Sequence, residues 1–142
     1  MALLTPDVEE KVKEYLQALQ QPVALEFYPR QGNSGSDMVT ELWSEIAVLS
    51  PKLSVHTHSG GVTPVHPESA DDLESAVTGV TVAGQATGIR FLGVPGGHEF
   101  GAFLETLVAV STAKEPSIGS EVAGYLKDLQ DPLHLYVFVT PT

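Results

Sequence analysis

The sequence contains no cysteine. That absence excludes disulfides, thiol nucleophiles and thiolate metal sites from these residues. Positive charge is also scarce: seven Lys and Arg stand against 18 Asp and Glu, a formal net charge of −11. The basic residues are scattered rather than clustered, so phosphate backbones and anionic bilayers are repelled, and neither nucleic acid nor a membrane is expected as a partner. No apolar run approaches the ~20 residues needed to span a bilayer. The opening stretch "MALLTPDVEEK" has no basic region before its short apolar patch, which makes it a poor secretory signal and the cytoplasm the expected compartment. Nothing in the residues calls for a cofactor.

What is present is an ordinary globular composition, with 42% hydrophobic residues in a chain of 142, enough for one core. Thr5 and Pro6 mark the start of a helix, with Val8, Val12, Tyr15, Leu16 and Leu19 at helical spacing. Pro22 ends it. "VALEFY" (23–28) reads as an interior strand and "PRQGNSGS" (29–36) as a polar loop. A second helix is expected from about Asp37 to Leu49, with Met38, Leu42, Trp43, Ile46 and Leu49 inward. "LSVHTH" (53–58) is a second strand, followed by the Gly-, Pro- and Ser-rich connector "SGGVTPVHPESADD". "TGVTVAG" (78–84) and "GIRFLGV" (88–94) read as a hairpin turning at "GQAT", and a third helix spans about 97–111. A βαβ unit, a β-hairpin and a closing helix together predict an α/β, thioredoxin-like fold.

A fourth helix (about 118–129) and a strand, His134 to Val139, follow. They repeat the beginning of the chain. Tyr15, Leu16, Leu19, Gln20, Pro22 and Leu25 fall on Tyr125, Leu126, Leu129, Gln130, Pro132 and Leu135 at one constant offset without a gap. The expected organisation is a thioredoxin-like unit over 1–114 and, over 115–142, the first helix and strand of a second such unit.

This arrangement resembles the glutaredoxin-like protein disulfide oxidoreductases of thermophiles. It is equally similar to the N-terminal domain of the flavoprotein subunit of alkyl hydroperoxide reductase, and both groups carry two fused thioredoxin-fold units. The likeness rests on "ELWSEIAVLSPKLSV" (41–55), on "GIRFLGVPGGHEFGAFLETL" (88–107) with Gly93, Pro95, Gly97, His98, Glu99 and Phe100, and on "LHLYVFVTPT". The resemblance implies a CxxC motif just after the last strand, at a helix N-terminus where a thiolate is stabilised, and places its first Cys immediately after Thr142. By the constant offset, the matching site of the first unit is Asn33, Ser34, Gly35 and Ser36, which carries no thiol. The families' proline before the third strand also has no counterpart, since no Pro lies between Pro67 and Pro95. The first unit is thus expected to be redox-inactive and to scaffold a CxxC unit. The implied partners are the second thioredoxin-like unit or a symmetry mate, and a thioredoxin-reductase-like flavoprotein or a peroxiredoxin. A stand-alone binding or assembly module is the alternative, and the hydrophobic last strand predicts self-association, a dimer, under either reading.

Other residues offer weaker signals. His56 and His58 lie two apart on a strand, hence on one face, and with His66 could supply three nitrogens to a metal. Exposed strand histidines are the commoner meaning, and no carboxylate is fixed beside them in sequence. His98 and Glu99 open a helix after Gly96 and Gly97, a turn and cap more often than an anion site. Gly93, Gly96 and Gly97 do not match a dinucleotide fingerprint, and no nucleophile-elbow pattern accompanies the Ser, His and Asp residues.

Overall fold

Strand β1 (Val23–Tyr28) alternates strictly between the two faces of the sheet: Val23, Leu25 and Phe27 are buried, while Ala24, Glu26 and Tyr28 are half-buried on the other side. The structure is a computed structural model and describes residues 2–59 and 75–139. β1 pairs in parallel with β2 (Leu53–Thr57) and antiparallel with β3 (Val77–Val82), which pairs antiparallel with β4 (Gln85–Leu92). The sheet order is β2-β1-β3-β4. Register places Val55 and Val80 beside Leu25, and Thr57 and Thr78 beside Phe27, so one face collects the apolar side chains.

Three helices supply the other half of that core: α1 (Pro6–Leu16), α2 (Ser34–Ala47) and α3 (His98–Ser111). Val12 and Leu16 of α1, Val39, Leu42, Trp43 and Ile46 of α2, and Phe103, Leu104 and Leu107 of α3 join the strand residues in one cluster. Trp43 and Phe103 stack with centroids 4.7 Å apart, and Phe91 meets Phe103 edge-on at 5.0 Å. Aromatic pairs in these geometries add about 0.5–1.5 kcal/mol beyond the area they bury. The indole Nε1 of Trp43 donates to Thr78 Oγ1 at 2.9 Å, which satisfies a polar atom that the core would otherwise leave without water.

Polar contacts fasten the helix ends. Ser111, fully buried, accepts from the backbone N–H groups of Gln20 and Gln21 (both 2.9 Å) and donates to the Gln21 carbonyl (2.7 Å). It thereby ties the end of α3 to the turn between α1 and β1. Lys52 Nζ donates to the Leu19 carbonyl at 2.8 Å, and the Glu45 carboxylate accepts from the N–H groups of Leu3 and Leu4.

The α/β, thioredoxin-like fold read from the sequence is the fold observed, with several local differences. Met38 is exposed and Ser36 and Val39 are buried instead, because the inward stripe of α2 runs through 36, 39, 42, 43 and 46 at helical spacing and position 38 falls outside it. Val8 and Tyr15 are likewise exposed on α1. The hairpin turns at Ala83 and Gly84, both at positive φ (49° and 78°), rather than at "GQAT". A register shift between Gly79 and Thr81 follows, with Gly88 at φ 81° in the opposing strand.

Helix α4 (Ser120–Lys127) buries no residue; Val122, Tyr125, Leu126 and Leu129, expected inward, are exposed. The strand expected over 134–139 is not formed. These residues have strand composition but pair with no strand among the described residues, and a β-strand is defined by its ladder. The connector and His66 fall outside the described residues.

Candidate functional site

Asn33 to Ser36, which the sequence comparison expects as a redox position without its thiols, sit where the end of β1 turns into α2. Asn33 caps that helix: its Oδ1 accepts from the N–H groups of Gly35 (2.8 Å) and Ser36 (3.2 Å). The Ser36 hydroxyl accepts from the Arg30 N–H at 2.8 Å and is buried, so it closes the turn. The expected polar loop is therefore helix over its last three residues, Ser34 to Ser36. The Asn33 and Ser36 side chains are engaged in local backbone hydrogen bonds, and neither is a nucleophile of thiolate type.

A different constellation lies on the face of the sheet opposite α1, α2 and α3. Glu26 of β1 stands directly beside His56 of β2 in register. His58 follows two residues on, its backbone N–H bonded to the Phe27 carbonyl at 2.8 Å. His56 Nδ1 lies 3.0 Å from Glu26 Oε1, and His58 Nε2 lies 2.5 Å from Glu26 Oε2. One carboxylate thus receives two imidazoles, one on each oxygen. The ring of His58 stacks on Tyr28 with centroids 4.5 Å apart and planes 13° from parallel, which fixes its orientation. Burial pushes the Glu26 carboxyl up, but the hydrogen bonds to His58 and His56, with the charge of both rings, outweigh that and hold it below its usual value.

The histidine pair expected on one face is therefore found there. The carboxylate that the local sequence does not place beside it is supplied across the strands. Among the described residues no group of three or more His, Cys, Asp or Glu could hold a metal ion.

His98 and Glu99 open α3 in a turn that begins with Gly97 at φ 54°, where the Glu99 N–H bonds to the Gly96 carbonyl at 3.1 Å. Along α4 and after it runs a long exposed apolar surface: Tyr125 and Leu126 on the helix, then Leu135, Tyr136, Val137 and Phe138 in succession. Among the described residues no helix is long and apolar enough to cross a membrane.

No protein-family model matches the chain. Among curated proteins it is 28% identical over 141 residues to the F component of alkyl hydroperoxide reductase, AhpF, of Staphylococcus aureus, covering 99% of this chain and 25% of that protein. The chain thus spans about a quarter of the length of the curated relatives it matches. Among solved structures it superposes on the NTD-N/C domain of alkyl hydroperoxide reductase AhpF from Enterococcus faecalis with a TM-score of 0.65 at 20% identity, covering 85% of this chain and 58% of that one. It superposes on a protein disulfide oxidoreductase of Aeropyrum pernix with a TM-score of 0.64 at 18% identity, covering 88% of this chain and 55% of the other. Both groups that the sequence resembles are thus among the proteins whose fold it shares.

Proposed function

We propose that these residues form a non-catalytic thioredoxin-fold unit of an oxidoreductase of the AhpF type, a unit that scaffolds a second, CxxC-bearing unit. The observation that carries the reading is the exposed apolar run after α4. It follows the repeat of the chain's opening in which Leu135 falls on Leu25, and in β1 Leu25 is fully buried between two strands. An apolar strand sequence left in solvent calls for a sheet to complete it. The rest of a second unit of the same kind would do so and would place whatever follows the strand at a helix N-terminus. The lack of any cysteine and the capped Asn33 turn support a structural role for the first unit. Under this reading thiol–disulfide exchange resides in the longer protein, with a thioredoxin-reductase-like flavoprotein or a peroxiredoxin as its partner.

The test is the intact mass of the natural protein, captured from its source cells with an antibody against these residues. A mass well above that of 142 residues, with a CxxC following Thr142, supports the reading; a mass equal to it overturns it. An insulin-reduction assay on this chain alone is expected to match buffer, and activity above buffer would refute the non-catalytic assignment. The same apolar run favours one second reading, a stand-alone module whose strand pairs with another copy of itself. That reading requires a dimer by light scattering, with a natural mass no greater than this chain's.

A further inference from the structure

One part of the internal repeat is not used by the core. Val8, Lys11 and Tyr15 match Ile118, Glu121 and Tyr125 at the constant offset of the repeat. We infer that these two stripes form a reciprocal contact between two copies of this chain, with α1 of one copy packed antiparallel on α4 of the other.

Helical spacing puts Lys11 and Tyr15 on one face of α1, and Glu121 and Tyr125 on one face of α4. Val8 extends the first stripe along α1, and Ile118 extends the second just before the Gly119 cap. In α1 the stripe runs beside the buried face. Val12 and Leu16 are sealed in the core, whereas Val8 and Tyr15 are 37% and 47% exposed. On α4 the residues matching Val12 and Leu16 are Val122 and Leu126, so a completing sheet would cover those two. Ile118 and Tyr125, 43% and 69% exposed, would stay outside it as Val8 and Tyr15 do. The inference therefore does not rest on the role proposed above.

Charge sets the pairing. The stripes are alike at their ends, an aliphatic residue and a tyrosine, and opposite between them, Lys11 in one and Glu121 in the other. Neither of these two makes an ion pair among the described residues. Laid antiparallel, Val8 meets Tyr125, Tyr15 meets Ile118, and Lys11 comes beside Glu121. Packing α1 on α1 would bring lysine to lysine, and α4 on α4 glutamate to glutamate, so like charges disfavour both alternatives. A two-fold axis then makes the unlike contact twice. Tyrosine suits such a surface, because aromatic side chains are enriched where protein surfaces meet.

Sedimentation equilibrium of the full chain tests the contact. A monomer–dimer equilibrium that weakens with added salt is expected. Lys11→Glu and Glu121→Lys should each weaken it about tenfold, since each dimer holds the altered pair twice and an attraction becomes a repulsion. Tyr15→Ser should weaken it at least as much, by removing an aromatic anchor. Mixing the Lys11→Glu chain with the Glu121→Lys chain should restore association to near that of the parent, because the mixed dimer has opposite charges at both contacts. All three positions are exposed, and circular dichroism checks that folding is retained. A strict monomer at every concentration overturns the inference. So does a dimer that neither Lys11→Glu nor Tyr15→Ser changes, which would assign association to the run from Leu135 to Phe138. Single variants that weaken the dimer without recovery on mixing also overturn it, since the contact is then not reciprocal between copies.

Discussion

Replacing Thr78 by Val tests whether the core depends on one polar contact. Thr78 and Trp43 are each about 1% exposed, and the indole N–H reaches the Thr78 hydroxyl at 2.9 Å. Valine has nearly the same shape, so packing is preserved while the acceptor is lost. The indole is then left with a buried donor and no water, which costs about 1–3 kcal/mol. For a chain of this size that corresponds to a fall in Tm of roughly 3–12 °C, taking a few degrees per kcal/mol. Urea denaturation followed by circular dichroism measures it, with the slope against urea unchanged. A cycle with Trp43→Phe sharpens the test. Each single substitution strands one buried polar group, whereas the double variant strands none, so its loss should be smaller than the sum of the two by about 0.5–3 kcal/mol. A Thr78→Val variant within about 0.3 kcal/mol of the parent, or an additive cycle, would refute the reasoning, since surface-like substitutions alone give changes of that size.

Ser111→Ala removes the acceptor that ties Gln20 and Gln21 to the end of α3 and should cost about 1–3 kcal/mol in urea denaturation. Asn33→Ala uncaps α2 and should cost about 1 kcal/mol, read as a lowered Tm without loss of fold. Glu26 is held below its ordinary carboxylate value in the folded state, so the unfolded chain takes up its proton first as pH falls. The stability from Glu26 is therefore complete above the ordinary value of 4.5 and is lost as pH drops through the lowered folded value; Glu26→Gln should flatten that acid limb in melts recorded from neutral pH downwards.

The regular elements of the fold are legible because they rest on local periodicity. Alternation in "LSVHTH" puts His56 and His58 on one face, and the spacing of Phe103, Leu104 and Leu107 marks the buried side of α3. Features set by long-range register are not legible. Glu26 lies thirty positions from His56, and only the pairing of β1 with β2 brings the two together. Ser111 falls at the end of the expected third helix with nothing nearby to mark it, and its partners are about ninety positions away. Sequence alone misplaces the hairpin turn because one of its two positive-φ positions is filled by Ala83, where glycine or asparagine would signal it. Residues 134–139 read as a strand on composition alone, and composition cannot provide the neighbour that a ladder requires.

Helix α4 contributes nothing to the buried cluster, while the single tryptophan, Trp43, sits inside that cluster. Tryptophan fluorescence therefore reports the sheet and its three packed helices and is blind to α4. Amide hydrogen exchange would separate the two, with α4 exchanging through local opening at little free-energy cost and the β1 and β3 amides only through global unfolding. A stability quoted from fluorescence describes the chain up to the end of α3, and the last helix can melt, or dock onto a partner, without that signal changing.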